Sequence, residues 1–247
     1  MTPARPPSAQ DALRVPHPWP GVAAVRGGRA AGVGSRSDKV RLRRRPIRRS
    51  SRFVCEAILE AFERALESLP FESCTTNQIA DLAGVGIGSF YEYFSNKETV
   101  LAVWLHRHSA RLLADFDRLL EQAPHTELSR QVDDIVTGVF DCYARKLCVW
   151  HRIARTVYAI STDEQCERCA RDFTERWQRL LGAHYPAQLG GHGRVASTAR
   201  ACHELLLAHI EGTILGPAAD PAGPGIRQHS VDALLSTIDE ALGPAAR

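Results

Sequence analysis

The chain has 247 residues, 44% of them hydrophobic and 24% charged, the composition of a soluble globular protein of one large or two modest domains. Its longest unbroken apolar runs are only a few residues, such as LLLA at 205–208, far short of the ~20 that a membrane-crossing helix needs. There is no secretory signal pattern, so no membrane partner and a cytoplasmic location are the expectation. The formal charge of +3 conceals an asymmetry. Residues 1–52 carry 13 Lys or Arg against two acids, Asp11 and Asp38, whereas the rest of the chain carries 18 basic and 26 acidic side chains. A basic arm on an acidic body points to a polyanion partner; the plainer reading of the arm is a solvated tail.

Residues 1 to about 46 hold seven of the 14 prolines and no helical or strand period, which predicts a disordered basic extension. Its Arg-rich, acid-poor start also has the composition of an organelle transit peptide. The extension ends in the run RSDKVRLRRRPIRRSSR. From Phe53 onward, Val54, Ala57, Ile58, Ala61, Phe62, Ala65, Leu66 and Leu69 recur at spacings of three and four, the apolar face of a helix that Leu69-Pro70 ends. Thr75 with Gln78 three residues on is a capping box. It opens a short helix with Ile79, Leu82 and Ala83 on its inner face and Gly84 as its stop. A second short helix is predicted from about Ile87 to Phe94, and a third from Asn96-Lys97 towards Leu120. Helical periods continue over about 127–147, 149–160, 163–184, 194–215 and 226–242, punctuated by Pro124, Pro186 with Gly190-Gly191, and PAADPAGPG. No segment alternates with period two. The fold class is all-α.

Two short helices joined by a glycine turn make a helix-turn-helix, in which the first helix braces on DNA backbone and the second enters the major groove. Gly84 permits the turn, and Gly86 and Gly88 leave the leading edge of the second helix bare, so that backbone can approach DNA. Tyr91, Tyr93 and Lys97 are donors suited to phosphate oxygens. The helix starts near Thr75 and Gly86 add amides and a positive dipole end. The plainer reading packs Tyr91 and Tyr93 into a three-helix core, a role that Phe90 and Phe94, four apart, fit better. The arginines of the basic run are then placed to follow flanking phosphate or a minor groove.

The stretch IADLAGVGIGSFYEYFSNKE resembles the DNA-binding domain of TetR/AcrR-type transcriptional regulators. Thr75, Ile79-Ala80, Ala83-Gly84-Val85, Gly88, Phe90-Tyr91, Tyr93-Phe94 and Asn96-Lys97-Glu98 follow that family's pattern, over about residues 50–105. The chain departs at Gly86, where the family usually has Ser, and so lacks a hydroxyl there. The resemblance implies that Thr76, Ile87, Gly88, Ser89, Tyr91, Tyr93 and Lys97 lie on the DNA face. Ile87, Ser89 and Glu92 are the candidates for base edges, Ile87 for a thymine methyl and Ser89 for several bases. It also implies three parts: the extension over 1–46, a helix-turn-helix domain over 47–105, and a helical domain over 106–247 that dimerises and binds a small-molecule effector. The expected partners are thus double-stranded DNA, a second copy of the chain and an unknown effector. The function implied is that of a ligand-released repressor on a palindromic operator.

The last two helical stripes, Val195, Ala199, Cys202, Leu205, Leu206, Ile210 and Ile214 and then Leu234, Leu235, Ile238 and Leu242, suit a four-helix dimer interface or burial within the subunit. Phe140, Tyr143, Trp150, Tyr158, Phe173 and Trp177 suit the lining of an apolar effector cavity or an ordinary core. Seven cysteines without a secretory signal read as reduced thiols. Cys166 and Cys169 form a single CxxC, which leaves a metal- or redox-responsive regulator as the alternative. A zinc site needs a second pair, which does not appear, so no metal or other cofactor is expected. His203-Glu204 is followed by Leu207 rather than His, so it does not form a zinc-protease motif. No GxSxG or phosphate-binding loop is present, and no enzyme activity is expected. The remaining rival, a helical enzyme or ligand carrier with a non-functional DNA-binding unit, would bind no specific DNA.

Overall fold

The computed structural model describes residue 46 and residues 49–122, 126–161, 163–186, 193–215 and 224–243. The basic extension lies outside them except for Pro46. The described residues form α1 (Arg49–Ser68), a 3-10 turn (Phe71–Ser73), α2 (Thr76–Ala83), α3 (Ile87–Tyr93), α4 (Lys97–Gln122), α5 (Leu128–Ala144), α6 (Leu147–Ile160), α7 (Asp163–His184), α8 (Arg194–Leu215) and α9 (Pro224–Leu242). No strand occurs among them, and the protein is all-α.

The helices fall into two compact units. The first contains α1 to α3, α4 as far as His108, and α6. Its core is built from Ile58, Phe62 and Leu66 of α1, Ile79 of α2, Phe90 of α3, Phe94, and Val100, Leu101 and Leu105 of α4, all fully buried or nearly so. Burial of each such side chain contributes roughly 1.5–3 kcal/mol, which is why helices as short as α2 and α3 persist here when they would melt alone. Asn96 starts α4 by accepting the Thr99 amide on Oδ1 at 2.8 Å. Glu63 of α1 accepts the Trp104 indole N–H at 3.0 Å, and Glu56 pairs with Arg107. These contacts fix the start of α4 against α1.

α6 belongs to this first unit although it lies far along the chain. Arg152 donates to the Leu66 carbonyl at 2.7 Å and Cys148 to the Glu67 carbonyl at 3.9 Å, which are orphan acceptors at the C-terminal end of α1. Trp150 packs edge-on against Trp104, with ring centroids 5.0 Å apart, and against His108 at 4.6 Å.

The second unit contains α4 from Ser109, α5, almost all of α7, and α8 and α9. There α9 packs on α8 and α5. Val195, Ala199, Cys202, Leu206 and Ile210 of α8 and Leu234, Ile238 and Leu242 of α9 are buried within the subunit, while Leu205 and Leu235 are half-buried. The side chain of Ile214 lies outside the described residues. Asp117 accepts from Arg176 at 2.8 Å and from Arg179 at 2.5 Å, and Arg227 of α9 donates to Asp141 of α5 at 2.6 Å.

Candidate nucleic-acid interface

The reading unit is defined by its caps. Thr75 Oγ1 accepts the Gln78 amide at 3.2 Å while Gln78 Oε1 accepts the Thr75 amide at 2.9 Å, the reciprocal box that starts α2. At the other end Gly84 takes φ +67° and ψ +29°. This left-handed step lets the Val85 amide reach back to the Ala80 carbonyl at 3.0 Å and turns the chain towards α3. α3 then starts at Gly86 without a side-chain cap. A Cβ added at Gly86 or Gly88 would meet nothing within 4 Å, so the space beside this edge is open.

On α3, Phe90 faces the core. The solvent side carries Ile87 at 41% exposure and Tyr91 at 40%, with Gly88 and Glu92 exposed and Ser89 half-buried beside them. The hydroxyls of Thr76, the first residue of α2, and Tyr91 lie 2.9 Å apart. A pair of hydroxyls has two protons, and one is used between them. The other remains to donate outward, so the two helices together offer one pre-aimed donor to a phosphate oxygen. Thr75 is exposed at the same end of α2.

Tyr93 and Lys97 are placed differently from Tyr91. Tyr93 is only 6% exposed and sits in the core three residues after Phe90, so its ring is not on the outer face. The Lys97 ammonium donates to the carbonyls of Phe71 at 2.8 Å, Glu72 at 3.0 Å and Cys74 at 2.9 Å, and lies 4.7 Å from the Phe71 ring centroid. All three of its protons are occupied. A phosphate contact would require breaking one of these bonds. Leu82 likewise differs from the expected inner face: it is 46% exposed, and Ala80 is buried instead. Leu82 lies in the last turn of α2, where Arg64 of α1 bonds its carbonyl at 2.7 Å.

The six aromatic candidates for an effector cavity are divided. Phe140, Tyr143, Phe173 and Trp177 are buried in the second unit, whereas Trp150 belongs to the first. The side chain of Tyr158 lies outside the described residues. A residue absent from the aromatic set is His203 of α8, whose ring stacks on Phe173 at 5.4 Å between centroids and 6° between planes. Cys169 is wholly buried, and burial drives its thiol far above the ordinary range. Burial likewise pushes Cys55 up to about 11 and Cys202 up to about 12. Reactive or metal-binding cysteines need the opposite shift.

Residues 58–103 match the profile of the bacterial regulatory proteins of the tetR family. Over that span the chain carries a tetR-family domain. No curated protein matches the chain. Among solved structures, a TetR-family protein from Syntrophomonas wolfei str. Goettingen superposes with a TM-score of 0.56 at 15% identity, over 77% of this chain and 95% of that one. A transcriptional regulator from Cytophaga hutchinsonii ATCC 33406 gives 0.57 at 15% identity, over 78% and 98%. The SmeT–triclosan complex gives 0.53 at 22% identity, over 74% and 90%. At these identities the likeness is one of fold. The tetR-family reading unit accounts for the caps, the turn and the bare face of α3.

Proposed function

We propose that this tetR-family transcriptional regulator is a homodimeric repressor that sets α3 of each copy into successive major grooves of a palindromic operator. The observation that carries the reading is the outer face of α3, with Ile87, Gly88, Ser89, Tyr91 and Glu92 clear of the core and a hydroxyl pair joining its Tyr91 to Thr76. Ile87 is the apolar contact for a thymine methyl, Ser89 and Glu92 are the polar contacts to base edges, and the Thr76–Tyr91 pair and the amides after Thr75 take phosphate. Half-sites then lie about one helical turn, or a multiple of it, apart. Pairing of two copies is supported by α8 and α9, which keep small and apolar residues partly exposed: Ala201, Leu205, Ala208 and Gly212 on one, Ile226 and Ala233 on the other. A small molecule held in the second unit releases DNA to the extent that it prefers a conformation with the wrong separation between reading heads.

The test is selection of genomic fragments by the purified chain, followed by anisotropy titration of the best duplex at two salt concentrations. A palindrome bound by two chains, with sequence preference retained at high salt, is the expected result. Weak binding that ignores sequence and vanishes with salt, or a chain that stays monomeric while bound, would sink the proposal.

A further inference from the structure

The second unit contains a polar group for which its own packing supplies no partner. His203 is 4% exposed, and its Nε2 meets no hydrogen-bond partner among the described residues. Its ring is held parallel to Phe173, so Nε2 projects in a plane fixed by that stack. Burial, with the nearby Arg200 guanidinium as a smaller cause, pulls the imidazole down to about 4, so the ring is neutral at physiological pH and carries one donor and one acceptor. Cores seldom leave such a nitrogen unpaired, and one that persists calls for a ligand, a water or a strain account. Phe173 brings α7 against α8 at this ring. Tyr143 is wholly buried, with Cys169 and Glu211 near enough to act on its phenol, and Trp177 is wholly buried one turn beyond Phe173.

We infer that His203 is the polar anchor of the effector site, and that the effector class is a neutral aromatic molecule bearing a hydroxyl. The inference rests on the proposed effector response and gives it a chemistry. A neutral imidazole offers no fixed positive charge to an anion, and an uncharged hydroxyl is the partner that suits it. A hydroxyl can donate to Nε2 or accept from it, and so serves either tautomer. The Phe173 ring stacked on the imidazole favours a flat apolar body behind that hydroxyl. A site built around a buried hydrogen-bonding group rejects the analogue that lacks its partner far more strongly than an apolar pocket distinguishes one methylene from another.

The experiment uses the full chain and two probes matched in shape, 4-propylphenol and propylbenzene, with binding followed by tryptophan fluorescence and by calorimetry. The wild type is expected to bind the phenol at least tenfold more tightly than the hydrocarbon, although the hydrocarbon is the more hydrophobic of the two. His203→Phe, which keeps the stack and removes both nitrogens, should reduce that preference to less than twofold, and His203→Gln should restore part of it. The 15N signal of His203 Nε2 should shift on adding phenol and stay fixed on adding propylbenzene, a readout that needs no variant. Equal affinities for the two probes, no binding of either, or a preference that survives in His203→Phe would overturn the inference. Binding that depends on His203 but leaves operator affinity unchanged retires the effector response and keeps the site. Operator release by small molecules in both wild type and His203→Phe keeps the response and retires His203.

Discussion

Lys97→Arg separates two roles for the lysine that follows the reading helix. As a clamp, the ammonium places three protons tetrahedrally on the carbonyls of Phe71, Glu72 and Cys74. A planar guanidinium keeps the charge but cannot reproduce that convergence on one nitrogen. Two of the three bonds are part-buried and the Glu72 bond is exposed. Taking about 1 kcal/mol for each part-buried bond and about 0.5 kcal/mol for the cation–π contact with Phe71, the loss comes to about 2.5 kcal/mol. In a chain of this length that lowers the melting temperature by roughly 5–10 °C. Lys97→Met, which keeps the stem and removes the charge, should lose a similar amount. A lysine that acted mainly on phosphate would give another pattern. Arginine would then be benign or better, and Met would leave stability alone while flattening the slope of log K against log salt by about 0.9 per contact. Thermal melting of the three proteins, with no DNA present, is sufficient. Arg and Met variants that melt within about a degree of the wild type would refute the clamp.

Other substitutions test the remaining parts. Gly84→Ala puts a Cβ on a residue at φ +67° with open space around it, so the cost is conformational alone, about 1–2 kcal/mol by chemical denaturation. Tyr91→Phe and Thr76→Val each remove one member of a hydroxyl pair on the surface; stability should move by less than about 0.5 kcal/mol, while operator affinity falls about fivefold or more in anisotropy titrations, and the double variant should do little further harm because the two act as one donor. His203→Phe should alter acid unfolding. The folded-state pKa of about 4 lies below the ordinary ~6.5, so the unfolded chain binds more protons between those values. Stability from this group is therefore complete above about pH 6.5 and lost as pH falls towards 4, a change on the order of 3 kcal/mol, and that part of the pH slope should be absent in the variant.

The local chemistry of the reading unit was legible because it is written in neighbouring side chains. Thr75 and Gln78 cap each other across three residues, and Gly84 sits where only a left-handed step closes the helix. The role of Lys97 was not legible in the same way, because its partners are backbone carbonyls, which have the same chemistry at every position. Tyr93 did carry a usable signal: it lies three residues after Phe90, on the same helical face, and that spacing outweighs its hydroxyl. Leu82 follows the stripe begun by Ile79 but falls in the last turn of α2 and remains exposed. The placement of Trp150 was hidden for a different reason. Periodicity shows that α6 has a buried face, but not which core that face joins. His203 drew attention only as half of an incomplete zinc-protease motif, because a single histidine on an apolar stripe reads as core until its unpartnered nitrogen is seen.

The covering of α1 by α6 bears on how this protein is made. The Arg152–Leu66 and Cys148–Glu67 bonds span 86 and 81 residues, so the DNA-reading unit is a discontinuous piece of chain whose closing contacts have high contact order. On the ribosome, α1 to α3 emerge early, yet the end of α1 and the ring of Trp104 await α6, which is synthesised only after the whole of α5. A fragment ending near residue 105 would leave those carbonyls and that indole face to solvent. The natural boundary for an isolated reading unit is therefore one that carries α6 with it, joined by a linker in place of the intervening residues.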